Sequence, residues 1–186
     1  MNVGFALCGS FCTYERVFPV MAELAKNHRV IPIFSRAAAT LDSRFGTSAE
    51  FLSRAEEICG TPPLLTIPDV EPIGPKKMLD ILIIAPCTGN TLAKLAHSIA
   101  DGPVTMATKS HLRNGRPVLI AVSTNDALSG AAENIGRLLN RKHYYFVPFG
   151  QDDPVNKPSS MVAHFEMIPE AMATALEGKQ IQPILQ

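Results

Sequence analysis

The stretch IAPCTGNTLAKLA, residues 84–96, joins the end of an apolar run to the start of an amphipathic helix pattern. The apolar run begins at Ile81, and its length and composition predict a buried strand over 81–85. From Leu92 to Ile99, apolar residues recur at helical spacing. The turn between the two holds Pro86 and five small or polar residues, more than a simple connection needs. A buried strand that leads directly into a helix predicts a parallel sheet covered by helices.

Strand and helix patterns alternate in the same way along the rest of the chain. Further strands are predicted over 3–8, 30–34, 64–67, 118–122 and 144–147, and further helices over 17–24, 51–59, from 103, over 129–140 and within 162–176. Residues 68–80 contain three prolines and are predicted to form a rigid loop. Because such alternation requires right-handed crossovers, it predicts one α/β domain over 1–186. This domain would be a doubly wound, Rossmann-like three-layer sandwich with a mainly parallel sheet.

Several side chains carry more specific expectations. Pro19 falls inside a helix pattern, so it should lie in the first turn or at a kink. Pro32 lies inside a strand pattern, which predicts an edge strand or a bulge. Gly60 should end the second helix. In the helix over 129–140, Ile135, Leu138 and Leu139 are expected to face inward.

Composition limits the class of partner. The 186 residues are 46% hydrophobic and 18% charged, and 17 Lys and Arg balance 17 Asp and Glu, so no overall field favours nucleic acid or an acidic membrane. No apolar run reaches the ~20 residues of a spanning helix, and no signal-peptide pattern begins the chain, so we expect a cytoplasmic protein. The four cysteines match no zinc or cluster spacing. They are expected to be reduced thiols in or near the core, and no metal site is predicted.

Ligands of open parallel sheets bind beyond the carboxyl ends of the strands, so the strand exits predict the site. The candidate residues at these exits are Gly9, Ser10 and Phe11; Ser35; Pro86, Cys87, Thr88, Gly89, Asn90 and Thr91; and Ser123, Thr124 and Asn125. They are mostly small or hydroxyl-bearing, and backbone N–H groups at helix starts attract anions, which predicts a phosphate-bearing ligand. The first exit lacks both G-x-G-x-x-G and G-K-[ST], which disfavours dinucleotides and nucleoside triphosphates. For any single turn, an ordinary helix cap remains the alternative.

Three segments together carry a family resemblance. GFALCGSF (4–11), Ser35 and APCTGNTLAKLAHSIAD (85–101) resemble the signatures of the FMN-binding flavoproteins, which include the phosphopantothenoylcysteine decarboxylases. The third segment is similar to the P-A-S-A-N-T signature, of which it keeps Asn90 and Thr91. The resemblance implies that Thr88 to Thr91 lie along the flavin and its ribityl chain, while Gly9, Ser10 and Ser35 receive the phosphate. Asn90 could contact the flavin ring, cap the helix, or do both.

Two features of the decarboxylases are absent. Their catalytic histidine precedes the third signature, yet no histidine lies between His28 and His97. Their P-x-M-N-x-x-M clamp corresponds to VSTNDAL (122–128), which retains Asn125 but neither the proline nor the methionine. Decarboxylation by that mechanism is therefore not expected, and the catalytic residues stay unassigned.

One family member is especially similar. The segments that resemble it are EPIGPKKMLD (71–80), TMATKSHLRN (105–114), STNDALSGAAENIG (123–136), YYFVPFGQDDP (144–154) and GKQIQPIL (178–185). That member is one component of a two-chain oxidoreductase of spore-forming bacteria that makes a small dicarboxylate, and its partner chain holds NADP. The resemblance implies FMN as cofactor, a second kind of chain as partner and a cytoplasmic place in the mother cell. It also implies a homo-oligomer that is a trimer or a multiple of one.

A dicarboxylate would favour cationic contacts. The candidates are Lys77, Lys109 and Arg113, with solvated surface charges as the alternative. Three functions remain open: a flavin-linked redox component, an FMN-dependent decarboxylase or transferase of another specificity, and a non-catalytic partner that keeps the fold.

Overall fold

The apolar run before the opening turn is the central strand β3 (Ile81–Cys87), and all seven of its residues are buried. The computed structural model describes residues 1–186. β3 pairs in parallel with β1 (Asn2–Leu7) on one side and with β4 (Val118–Thr124) on the other. β2 (Arg29–Phe34) pairs in parallel with β1 and forms the edge of the sheet.

β4 has two partners on its far side. Its first half pairs in parallel with β5 (Tyr144–Phe146), and its last residues pair in antiparallel with β7 (Met161–Ala163). β6 (Phe149–Gly150) completes the sheet beside β7. The result is a seven-stranded, mainly parallel sheet, as predicted.

Helices cover both faces of this sheet. They are α1 (Tyr14–Ala25), α2 (Arg36–Thr40), α3 (Ser48–Cys59), α4 (Ile67–Val70), α5 (Gly89–Ala96), α6 (Pro103–Leu112), α7 (Ala132–Leu139) and α8 (Ile168–Leu176). α1 contacts α3 and α8, whereas α5 contacts α6 and α7, which separates two helix layers. A single cluster of 51 buried residues forms the core between the layers. The predicted Rossmann-like three-layer fold is confirmed.

Local chemistry sets several helix ends. α3 begins with a capping box, in which the Thr47 side chain accepts from the Glu50 N–H and the Glu50 carboxylate accepts from the Thr47 N–H. It ends at Gly60, whose φ of 64° suits glycine, as predicted. Pro103 lies in the first turn of α6, also as predicted.

The segment after α3 differs from the prediction. Leu64 makes one isolated bridge to Ile33 instead of a strand. The expected loop begins with α4 and a 3-10 turn, Glu71–Ile73. A capping box between Thr66 and Asp69 explains this helical start, because the two residues satisfy N–H groups of the first turn reciprocally.

Three further expectations are wrong. Ile99 and Leu139 are 47% and 46% exposed, since Ile99 lies beyond the end of α5 and Leu139 is the last residue of α7. Val162 lies in β7 and not in a helix. Pro19 lies in the second turn of α1 and not in the first, so of its two predicted positions the kink remains. It is exposed, so water can reach the carbonyl that its ring leaves unpaired. Pro32, by contrast, is in the edge strand as expected.

Candidate flavin and substrate site

Side chains from three strand exits touch one another. The Ser10 and Ser123 hydroxyls, which follow β1 and end β4, hydrogen-bond at 2.8 Å. The Thr91 hydroxyl donates to the Cys8 sulfur at 3.3 Å and lies 3.1 Å from the Thr88 hydroxyl. The exits of β1, β3 and β4 therefore form one continuous surface.

The exit of β2 lies beside that of β1. The Ser35 N–H donates to the Leu7 carbonyl at 2.9 Å, which continues the pairing of the two strands by one residue. The Ser35 side chain caps α2 by accepting from the Ala38 N–H at 3.2 Å. Ser35 thus stands at the start of a helix, and Arg36 follows it.

Two cavities open along these exits and share Gly9, Thr88 and Asn90. The larger, of about 1020 Å³, lies over the exits of β1, β3 and β4; its polar wall includes Ser10, Gly89, Ser123, Thr124, Asn125 and Asp126. The smaller, of about 590 Å³, lies between the exit of β2, α5 and the start of α6; its wall includes Ser35, Arg36, Thr40, Thr91, Lys94 and Asp101. The shared residues make the two cavities parts of one site.

Two of the predicted residues do not reach either cavity. Pro86 and Cys87 are buried at the end of β3, so their side chains are not available to a ligand. Phe11 lines the larger cavity, but its ring also packs against Phe51 and Tyr14, with centroids 6.0 and 5.5 Å apart. The other residues predicted at the exits all line one cavity or both.

The structure separates the two roles considered for Asn90. The N-cap of α5 is Thr88, whose hydroxyl accepts from the Thr91 N–H at 3.4 Å. Asn90 is exposed on the shared wall of the two cavities, and its amide makes no hydrogen bond within the chain. This amide can both donate to and accept from a ligand.

Gly89 lets the start of α5 approach the exit of β4. A Cβ at this position would lie 2.7 Å from the Asp126 carboxylate and 2.8 Å from the Thr124 hydroxyl. These two side chains hydrogen-bond to each other at 2.5 Å. Asp126 was not among the predicted site residues, although it follows Asn125 in the same turn.

Three cations line the larger cavity, and none was predicted. Arg16 lies 3.7 Å from the Glu166 carboxylate. Lys157 pairs with Asp152 at 3.2 Å. Arg44 makes no ion pair, and its guanidinium lies 4.8 Å from the centroid of the Phe45 ring. Arg44 is therefore the unpaired cation of this wall.

The basic residues predicted from the sequence lie elsewhere. Lys77 precedes β3, and its carbonyl accepts from Arg116, at the opposite edge of the sheet from the strand exits. Arg113 caps the far end of α6, whose ten residues span about 15 Å from a start that lines the smaller cavity. Lys109 lines a third cavity of about 440 Å³ beside Arg141. The fold does not bring these three residues to the two cavities at the strand exits.

Burial keeps the two thiols beneath the site, Cys8 and Cys87, protonated at neutral pH, whereas Cys12 is exposed on the wall of the larger cavity. Burial raises the pKa of Cys8 to about 11, although the hydrogen bond from Thr91 opposes the shift. Burial also raises the pKa of Cys87 well above its usual value. No histidine lines either site cavity. The acid–base groups on the larger wall include two carboxylates, Asp126 and Asp152.

Asp152 is held in its ionised form. Partial burial opposes ionisation, but hydrogen bonds from Ser160 and Lys157 outweigh it and lower the pKa of Asp152. The carboxylate therefore stays available as the ion-pair partner of Lys157 and balances the positive charge of this lysine.

A sheet with this topology and a polar double cavity at its carboxyl edge is the arrangement of a flavin-binding α/β protein. Residues 1–174 match the Flavoprotein family, and the chain belongs to it. It is 45% identical over 185 residues to the B subunit of dipicolinate synthase from Bacillus subtilis (strain 168), across 99% of this chain and 92% of that protein.

Solved structures agree with this assignment. The B subunit of dipicolinate synthase from Bacillus halodurans C is 45% identical and superposes with a TM-score of 0.91, over 100% of this chain and 95% of that one. Burkholderia xenovorans DmrB in complex with FMN, described as a cubic protein cage for redox transfer, is 17% identical with a TM-score of 0.70 over 95% of each chain. The second similarity shows the fold alone.

Among the helices of this protein, none combines the length and the apolar composition that a membrane span requires.

Proposed function

We propose that this chain acts as the B subunit of a dipicolinate synthase. Together with the A subunit, which would bind NADP, it would oxidise dihydrodipicolinate to dipicolinate, pyridine-2,6-dicarboxylate, in the mother-cell cytoplasm during sporulation. The observation that carries the proposal is the 45% identity to a protein of that name over nearly the whole of both chains. The match spans 99% of this chain, so the aligned region includes the strand exits.

The double cavity supports FMN as the cofactor. Ser35, Gly9 and the unpaired Arg36 would hold the phosphate in the smaller cavity, since hydroxyls, backbone N–H groups and a guanidinium suit this anion. Thr88, Gly89, Asn90 and Thr91 would hold the ribityl chain and the ring edge. When bound, FMN would supply a two-electron acceptor. Ser10, which is hydrogen-bonded to Ser123, lines the larger cavity and not the smaller one. It would therefore contact the flavin ring and not the phosphate, in contrast to the role that the family resemblance implies.

Flavin binding is testable by titrating the purified chain with FMN and following the flavin spectrum. In Ser35→Glu a carboxylate faces the phosphate. Like charges about 4 Å apart at an effective dielectric constant near 20 cost about 4 kcal/mol, which corresponds to a roughly 1,000-fold weaker affinity. Ser10→Glu should also prevent uptake by filling the ring side of the cavity. Ala132→Glu, exposed at the start of α7, is the control for added charge. Unchanged FMN affinity in both serine variants would refute the assignment.

A decarboxylase of the same family is the second candidate, and the site argues against it. A missing general acid or base typically lowers a rate 10²- to 10⁴-fold, and no histidine lines the two site cavities. We therefore expect no turnover of phosphopantothenoylcysteine or of a peptidyl cysteine by the flavin-loaded protein. A purely structural partner, the third candidate, would bind no flavin.

A homo-oligomer, a trimer or a multiple of one, is part of the same proposal. DmrB, which has the same fold, is described as a cubic cage, so an assembly of many copies is compatible with this fold. Light scattering at micromolar concentration tests it, and the mass of a single chain would count against it.

A further inference from the structure

The larger cavity carries a cation that nothing in the chain neutralises. Arg44 lies at the tip of a tight turn closed by two backbone bonds, from Ser43 N–H to the Gly46 carbonyl at 3.0 Å and from Gly46 N–H to the Ser43 carbonyl at 3.2 Å. Gly46 has a φ of 142°, and a Cβ there would lie 2.8 Å from the Phe51 ring. This packing against a core aromatic holds the turn, and with it Arg44, over the cavity.

The other two cations of this cavity wall already form ion pairs, but the two pairs differ in their distances. Lys157 donates to Asp152 at 3.2 Å, within hydrogen-bond range. Arg16 and Glu166 are 3.7 Å apart, and their side chains are 52% and 67% exposed. Exposed pairs of this kind contribute little stability, so an incoming carboxylate can replace Glu166 as the partner of Arg16. The cavity therefore offers one free guanidinium and one that is easily released.

The aromatic ring beside Arg44 adds a second element of recognition. Phe45 is 46% exposed and lines the same cavity. A planar six-membered ring with carboxylates can stack on an aromatic face while arginine binds its carboxylate through two parallel hydrogen bonds. The shared residues Gly9, Thr88 and Asn90 connect this surface to the smaller cavity.

We propose that the larger cavity binds the dicarboxylate substrate, with Arg44 on one carboxylate and Arg16 on the other, and Phe45 against the ring. The inference rests on the proposed function and assigns the substrate contacts within it. It replaces Lys77, Lys109 and Arg113 with residues that reach the strand exits.

The first experiment measures binding of dipicolinate to the FMN-loaded chain by calorimetry. A bidentate arginine–carboxylate contact predicts that Arg44→Ala weakens this affinity roughly 10- to 150-fold. Arg44→Lys should restore only part of it, because lysine cannot bind both oxygens in one plane. Arg29→Ala, an exposed arginine at the amino end of β2, is the matched control and should bind as wild type. Pyridine-2-carboxylate has only one of the two carboxylates. The Arg16→Ala substitution should therefore weaken the binding of pyridine-2-carboxylate less than the binding of dipicolinate.

The second experiment separates this inference from the proposed function. In the reconstituted two-chain enzyme, Arg44→Ala should raise KM for the dihydro substrate by a similar factor while the FMN affinity stays unchanged. If the wild-type pair makes dipicolinate but Arg44→Ala has normal KM and normal dipicolinate affinity, the assignment of Arg44 is wrong and the function stands. If Arg113→Ala instead shows the loss, the substrate lies elsewhere. If the pair makes no dipicolinate although the chain binds it through Arg44, the proposed function fails and the binding site remains.

Discussion

Gly89 decides how closely two elements meet at the site. Any side chain there would overlap the hydrogen-bonded pair of Thr124 and Asp126. The contacted atoms lie at the ends of the Thr124 and Asp126 side chains, which can shift. A side chain at position 89 should therefore disturb the site more than the core. This is a property of one residue that the order of the strand exits alone does not reveal.

We therefore expect Gly89→Ala to weaken FMN binding by about tenfold or more, since overpacking typically costs about 1–3 kcal/mol. Flavin titration measures this effect. Gly136→Ala is the matched control, because Gly136 lies outside both cavities and a Cβ there would have no neighbour within 4 Å. Equal FMN affinity in the two variants would show that the contact at Gly89 is unimportant.

His111 makes the fold sensitive to acid. Its side chain is fully buried, its Nε2 lies 3.0 Å from the Pro117 carbonyl, and its Nδ1 has no partner. Burial lowers its pKa to about 4, and Arg116 adds to this shift while Asp80 opposes it. The unfolded chain, with a histidine pKa near 6.5, takes up the proton first. His111 therefore reduces the free energy of unfolding as the pH falls from about 6.5 to about 4.

Urea unfolding between pH 4.5 and 7 tests this dependence. Wild-type protein should lose on the order of 2 kcal/mol across the interval, at about 1.4 kcal/mol per pH unit where only the unfolded state is protonated. His111→Phe removes the titrating group, so the pH dependence should become shallower whatever the effect at pH 7. His97→Gln changes an exposed histidine and should keep the wild-type slope. A slope unchanged by His111→Phe would contradict the assignment.

Among the elements, those with a continuous apolar pattern were predicted well. β1, β3 and β4 are buried almost throughout, so an unbroken apolar run identified each of them. β6 and β7 have two and three residues, too few to leave a pattern. The same reason explains the missed five-residue α2, whose start depends on Ser35 as a cap.

The candidate site likewise contains some residues that the sequence predicts and others that it does not. Hydroxyls at the strand exits could be predicted because parallel strands end at one edge of a sheet. The cations could not, since Arg16 comes from the outside of α1, Arg44 from the turn before α3, and Lys157 from the segment between β6 and β7. Only tertiary packing places these three segments around one cavity. Arg113 lies at the end of α6 away from the cavities, and local sequence does not indicate which end of α6 faces the site.

Replacing two glycines by alanine should change the free energy of unfolding in opposite directions. Gly136 is exposed inside α7 with a helical backbone, so Gly136→Ala should raise the free energy of unfolding by about 0.5–1 kcal/mol. Gly60 has a φ of 64° at the end of α3, where alanine would be strained, so Gly60→Ala should lower it by about 1–2 kcal/mol. Neither Cβ would meet an atom within 4 Å, which leaves backbone conformation as the only difference. Chemical denaturation measures both, and equal signs would contradict the argument.

The whole molecule has a double cavity at the strand exits but lacks the sequence pattern of a dinucleotide site. The first strand exit lacks the glycine pattern that cradles a pyrophosphate, and no acidic residue follows β2 to bind a ribose. Under the proposed function, hydride transfer to NADP would therefore need another chain. The absence of histidine from the two cavities likewise leaves the chain few acid–base groups with which to complete the reaction alone.

We therefore expect dipicolinate formation only when both kinds of chain are present. Either chain in isolation should convert the dihydro precursor at a rate no higher than the uncatalysed control, whereas the reconstituted pair should reach ordinary enzyme rates of roughly 1 per second or more. FMN-deficient variants such as Ser35→Glu should pair normally with the partner chain yet fail to restore this rate. Under the proposed function, the contribution of this chain would be the flavin and the substrate pocket. The assay is dipicolinate absorbance with NADP, with and without added FMN. Full activity of the isolated partner would remove the catalytic role from this chain, and full activity of the pair with Ser35→Glu would show that its contribution is independent of flavin.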